Sequence, residues 1–135
     1  NTTWPGRLEM IKYKNKIILL DGSHNIDGAI NLNSFLKDKN IKPWILFGML
    51  NTKKIMDFLS IIQNQIEGIV AIKIPEEKNA FTANQILKTC KKLKINCVKK
   101  NNIREANNFL FQQSTKYILI TGSLYLVGKL RGKYL

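Results

Sequence analysis

Alternating strand-like and helix-like apolar runs predict an α/β domain. It has a mostly parallel sheet of about six strands, opened by an antiparallel hairpin strand and flanked by helices. Three observations carry this. Two apolar runs, Leu8–Tyr13 and Lys16–Leu20, are separated only by Lys14-Asn15, as in a hairpin. Four later runs alternate with amphipathic stretches, as crossover helices require. The strands also end in polar turns where helices begin.

The elements follow in order. Ala29, Leu32, Phe35 and Leu36 share one face of a helix over 28–36. Pro43–Phe47 is a short strand stopped at Gly48. Thr52 is a candidate cap for a helix whose inner face would be Ile55, Met56, Leu59 and Ile62. Gly68–Ile74 is a strand stopped by Pro75, and a polar loop runs to Phe81. Thr82 and Gln85 have capping-box spacing for the third helix. Ile95–Val98 is a short strand. Asn102, with Glu105 three residues on, starts a helix that reaches about Phe111. Tyr117–Thr121 is the last strand, and Ser123 can cap a final helix to about Leu130.

The chain of 135 residues is sized for one domain. It has no apolar run of the roughly 18–20 residues that cross a bilayer, so no membrane association is expected. Two cysteines, Cys90 and Cys97, are too few for a disulfide framework, which suits a reducing, cytoplasmic setting. Cys90 falls on the apolar face of its helix, and both sulfurs are expected to be buried. The opening Asn1–Gly6 reads as a linker, with the domain over 7–135, so a fragment of a longer protein is expected. The net charge of +13 favours anionic partners. The densest basic stretch, Lys88–Arg104, has no interleaved aromatic residue. It therefore reads as a solvated helix face rather than a nucleic-acid footprint.

Chemistry concentrates in two turns. Leu20-Asp21-Gly22-Ser23-His24-Asn25 follows a strand and carries the one histidine of the chain. The carboxyl ends of strands are where open α/β sheets bind ligands. Asp21 can accept hydrogen bonds from ribose hydroxyls or position a metal-bound phosphate; alternatively it ties down its own turn. His24 can offer a hydrogen bond or charge to a carboxylate or phosphate, or be satisfied within the turn. Gly22 and Gly28 would let backbone approach an anion at a helix start. In the second turn, Thr121-Gly122-Ser123-Leu124-Tyr125, the hydroxyls of Ser123 and Tyr125 suit a small carboxylate, unless Ser123 is only a cap. Arg7 could reach a phosphate or stack on a base; otherwise it is an exposed linker arginine. One histidine and no Cys-x-x-Cys spacing give no expected metal site. The phosphate-loop, dinucleotide and nucleophile-elbow patterns are all absent from the sequence.

Three stretches occur in order: Trp4-Pro5-Gly6-Arg7-Leu8-Glu9, Leu19-Leu20-Asp21-Gly22-Ser23-His24-Asn25, and Thr121-Gly122-Ser123-Leu124-Tyr125-Leu126-Val127-Gly128. Together they resemble the C-terminal domain of folylpolyglutamate synthase/dihydrofolate synthase, in the Mur ligase family. The resemblance covers essentially the whole chain. It implies a Rossmann-like, mostly parallel sheet. It also implies an ATP- and Mg2+-dependent ligase that adds L-glutamate to dihydropteroate and/or folyl-polyglutamate through an acyl phosphate. The phosphate loop, the magnesium ligands and most of the folate pocket would lie in an N-terminal domain. This chain alone would then be inactive, and the protein a monomer.

By the same resemblance, Arg7 and Asp21 would contact ATP. His24 would sit near the phosphate and the incoming glutamate and serve catalysis, and Ser123 and Tyr125 would hold glutamate. The sequence departs from the family pattern at Ser23, where Ala is usual, at Ile26, where Pro is usual and whose loss should loosen the helix start, and at Asn79, where Arg is frequent. The alternatives are another Mur-type ligase domain acting on a cell-wall precursor, or a basic nucleic-acid-binding α/β module. The choice between dihydrofolate synthase and polyglutamate synthase is open at this level.

Overall fold

A computed structural model describes residues 2–4 and 8–135. The elements are β1 (Thr2–Trp4), β2 (Leu8–Tyr13), β3 (Lys16–Asp21), α1 (Ile26–Asp38), β4 (Trp44–Phe47), α2 (Ile55–Ile62), β5 (Gly68–Ala71), α3 (Ala83–Leu93), β6 (Cys97–Lys99), α4 (Ile103–Gln112), β7 (Tyr117–Thr121) and α5 (Leu124–Tyr134). They form one sheet in the order β1-β2-β3-β7-β4-β5-β6. β1, β2 and β3 pair antiparallel, and all other pairs are parallel. The sheet thus has one strand more than the six expected. Thr2–Trp4 pairs along Leu8–Met10 and extends the sheet into the segment expected to be linker.

The strand sequences explain the layering. β3, β4 and β5 are buried along their whole length, as strands covered on both faces must be. Successive side chains then feed different cores. Leu19, Ile45, Phe47, Ile69 and Leu119 pack with Leu32, Leu36, Phe58, Leu59, Ile86 and Cys90, beneath α1, α2 and α3. Ile18, Leu20, Leu46, Val70, Ile118 and Ile120 pack with Ala106, Leu110, Leu126, Leu130 and Tyr134, beneath α4 and α5. In α5 the buried residues recur every fourth position, which is one stripe of a helix.

Several boundaries differ from the sequence expectation, for local reasons. α1 starts at Ile26, two residues early, because Asn25 is the cap and its Oδ1 accepts from Gly28 N–H at 2.8 Å. Thr52 does not cap α2, which begins at Ile55 after Lys54 with no side-chain cap bond. The backbone before it is committed elsewhere: Asn51 N–H donates to the Asn79 carbonyl and Phe81 N–H to that of Met49. Met56 consequently points outward at 38% exposure, and Phe58 takes its place in the core. β5 ends at Ala71 because its neighbours β4 and β6 end beside it. β6 starts late because Lys94 turns left-handed (φ 60°) and Ile95 N–H still closes α3 through the Cys90 carbonyl. Cys90 is buried, whereas Cys97 is only partly so. α5 runs on to Tyr134.

Lys16 is a buried cation, 5% exposed, at the start of β3. Its Nζ donates to the carbonyls of Gln113 and Thr115, tying the hairpin to the loop after α4. Lys16→Met keeps the apolar stem but leaves both carbonyls unpaired. We expect a loss of about 2–3 kcal/mol, since bonds to charged groups are the stronger ones. Urea unfolding of the two proteins measures it.

Candidate functional site

The strand order places the site. β7 lies between β3 and β4, and pairs with both. The helix after β3, α1, covers one face, whereas the helix after β7, α5, covers the other. The chain therefore departs in opposite directions from adjacent strand ends, which opens a crevice there. The turns after β3, β7 and β4 all meet at this crevice. Gly122 N–H donates to the Ser23 carbonyl at 3.1 Å, joining the first two. Gly122 also has φ +105°, and a Cβ there would lie 2.3 Å from the Gly48 carbonyl oxygen, so the second and third turns touch.

His24 sits where these turns converge. It lines three adjoining clefts of about 370, 280 and 110 Å3. Its Nδ1 is buried and has no hydrogen-bond partner among the described residues. Buried polar nitrogens are rarely left so, because an unmade bond costs about 1–3 kcal/mol. The reading of His24 as a histidine satisfied within its turn is thus not what the structure shows.

Asp21 is 5% exposed, and its Oδ1 accepts from Ser23 N–H at 3.0 Å and Ser23 Oγ–H at 2.7 Å. It holds its own turn, and the Ser23 hydroxyl, which the Ala expected there would lack, supplies one of the two bonds. Burial pushes the Asp21 carboxyl above its ordinary pKa, against the two bonds from Ser23. The folded state therefore keeps this proton to higher pH than the unfolded chain. Stability falls as pH rises from the ordinary carboxylate value through the raised one, and the cost is fully present only above the raised value. Asp21→Asn keeps an oxygen for Ser23 and removes the charge. We expect it to raise stability above the raised carboxyl value and to remove the fall in Tm that Asp21 contributes as pH rises through the acidic range, read from Tm-against-pH curves of the two proteins.

Ser123 is buried, and its Oγ accepts from Tyr125 and Leu126 N–H at 3.1 and 3.4 Å, so it caps α5. Tyr125 is 58% exposed beside it, at the edge of the smallest cleft. His24, Asp21 and Ser123 are thus brought together, with Tyr125 at the rim. Arg7 lies outside the described residues.

Two residues that sequence reasoning missed belong here. Lys53 lines the largest and the smallest cleft, in each case with His24. Thr121, at the end of β7, has a buried Oγ1 without a partner among the described residues. The signal for Lys53 was a third strand end, Phe47-Gly48, followed by a loop with paired lysines. That loop is braced by Asn79–Phe81, where Leu50 and Ala80 form an antiparallel bridge. Asn79 contributes its backbone carbonyl there. Among the described residues, no three His, Cys, Asp or Glu side chains gather as a metal centre.

A family model described as the C-terminal domain of dihydrofolate synthetase matches residues 6–132. The chain belongs to this family. A probable dihydrofolate synthetase from Schizosaccharomyces pombe is 24% identical over 95% of the chain and 34% of its own length. Thermotoga maritima folylpolyglutamate synthase superposes with a TM-score of 0.82 at 26% identity, covering 99% of this chain and 31% of that one. E. coli FolC, solved in complex with DHPP and ADP, gives 0.81 at 22% identity, covering 96% and 31%. The chain thus spans about a third of the length of these relatives. The shared fold matches the α/β, Rossmann-like expectation.

Ile26, where the resemblance led to the expectation of Pro, is the first residue of α1. The cap is nevertheless closed, with Asn25 extended (φ −132°, ψ 175°). Proline suits such a first helical position, and the residue before it is already extended. Ile26→Pro is expected to stabilise the domain by about 0.4–1 kcal/mol, read as a rise in Tm.

Proposed function

We propose that this chain is the glutamate-ligase domain of an ATP- and Mg2+-dependent enzyme that adds L-glutamate to dihydropteroate, to folyl-polyglutamate, or to both. The supporting observation is His24, with its unpartnered Nδ1, at the meeting point of three strand-end turns at the switch point of the sheet. A related bifunctional folylpolyglutamate synthase/dihydrofolate synthase has been solved with Mn, AMPPNP and L-glutamate bound.

The donor set fits anionic substrates. Lys53 supplies a cation next to His24, and Ser123 already aims the start of α5 at the smallest cleft. A helix start favours negative charge. In this reading His24 and Lys53 face the phosphoryl and carboxylate oxygens, Tyr125 borders the glutamate, and Asp21 borders the nucleotide. The described residues form no cage for a divalent cation. In this reading the magnesium is held mainly by a separate ATP-binding domain, which closes over this face. Leu124, Tyr125, Ile26 and Ile30 are large apolar side chains left exposed around the turns, as a face that meets another domain would leave them. No helix of the described residues is long and apolar enough to cross a membrane, which is compatible with a cytoplasmic enzyme.

The test is ATP-dependent incorporation of labelled glutamate, with this chain joined to its ATP-binding domain. Dihydropteroate and a reduced folate are offered separately, and the preferred acceptor names the activity. Incorporation into neither, by a folded protein that binds ATP, would overturn the reading in favour of another Mur-type substrate. The 135-residue chain by itself is expected to form no amide.

A further inference from the structure

At the opposite end of the sheet from His24, a second cleft of about 310 Å3 opens between the β2–β3 hairpin, α4 and the last turn of α5. It lies about five strand residues, roughly 17 Å, from the crevice. Its walls carry donors and aromatic rings and no carboxylate. Lys14 and Lys133 stand at its rim, and Asn107, Tyr13, Phe111 and Tyr134 line it.

Asn107 is the decisive residue. It is 7% exposed, and its Nδ2 has no hydrogen-bond partner among the described residues. Its Oδ1 is already engaged at 2.7 Å by the hydroxyl of Tyr134, itself 2% exposed. Burial pushes the Tyr134 phenol up to about 12, so that hydroxyl keeps its proton and donates. Among the described residues, the amide N–H groups of Asn107 are thus left wanting an acceptor, in a cleft whose charged side chains, Lys14 and Lys133, are both cationic. The aromatic wall is preassembled: Tyr13 meets Tyr134 and Phe111 edge-on, with centroids 5.1 and 5.9 Å apart. A flat ring can add to such a cluster at little cost in side-chain ordering.

We propose that this cleft binds a small aromatic anion of mononucleotide size, its phosphate or carboxylate held by Lys14 and Lys133 and an acceptor atom of its ring or sugar by Asn107 Nδ2. The volume is at the lower end of the range for small-molecule sites. The proposal is independent of the function assigned to the His24 crevice, because no residue is shared between the two.

The experiment is a 1H–15N NMR titration of the 135-residue chain with adenosine monophosphate and, separately, inorganic phosphate. The expected result is a saturable shift of the Asn107 side-chain amide and of the backbone amides of residues 13–14 and 133–134. Adenosine monophosphate should bind at least about tenfold more tightly than phosphate, a difference of about 1.4 kcal/mol. A double variant, Lys14→Gln with Lys133→Gln, alters only exposed side chains and should abolish the shifts while the rest of the spectrum is unchanged. Shifts confined to residues 21–25 and 121–125 would overturn the proposal, since they report the other crevice. Equal affinity for phosphate would overturn it as well, and so would binding that survives the double variant.

Discussion

Gly122→Ala is expected to destabilise the domain by about 3–5 kcal/mol, a large part of the 5–15 kcal/mol that holds a typical domain folded. Two costs combine. The residue has φ +105°, outside the regions open to an L side chain. A Cβ would also lie 2.3 Å from the Gly48 carbonyl oxygen and 2.7 Å from the Phe47 ring. The carbonyl belongs to backbone, and Phe47 is fully buried between sheet and helices, so neither can give way cheaply. The strand end must move instead, which weakens the bond from Gly122 N–H to the Ser23 carbonyl and parts the turns that frame His24. Gly128 is the control, since a Cβ there meets nothing within 4 Å and the residue is inside α5. Gly128→Ala should stabilise by about 0.5–1 kcal/mol through helix propensity. Thermal unfolding of both variants checks the pair. A Gly122→Ala protein that melts within a degree or two of the parent would mean that the turns are not locked together.

His24→Ala is expected to separate stability from activity. In the joined enzyme, glutamate incorporation should fall by about 10^2–10^3 in kcat, the usual cost of removing one preorganised group that meets developing charge. Lys53→Met should cause a loss of similar size, because its cation lines the same clefts. Stability should be unchanged or slightly higher. The Nδ1 of His24 makes no bond among the described residues, so deleting it removes an unmet polar group rather than an interaction. Steady-state assays alongside Tm measurements provide both readouts. Equal losses of activity and of stability would mark His24 as a folding residue and would remove the main support for the proposed site.

The pattern of apolar runs was enough to determine the α/β class, the hairpin and the order of elements from β2 onward. Burial on both faces forces β4, β5 and the middle of β3, Ile17–Leu20, to be continuously apolar, and helices must show their stripe, so these features are written locally. Caps were legible where a side chain closes its own turn, as at Thr82, Asn102 and Ser123. Thr52 failed because partners thirty residues away claim the backbone around it. The turn at Asp21–Asn25 stood out because it gathers a carboxylate, a glycine and a histidine in a few residues.

Tertiary structure alone decided which turns meet. Placing β7 between β3 and β4 brings Gly48, Ser23 and Gly122 together from distant parts of the chain. It also puts Lys53 beside His24, a pairing that no local pattern announces. The burial of Lys16 and the unmet amide of Asn107 are of the same kind. Each depends on which carbonyl or hydroxyl the folded chain carries to it, and hydrogen-bond satisfaction at long range leaves no mark in the spacing of residues.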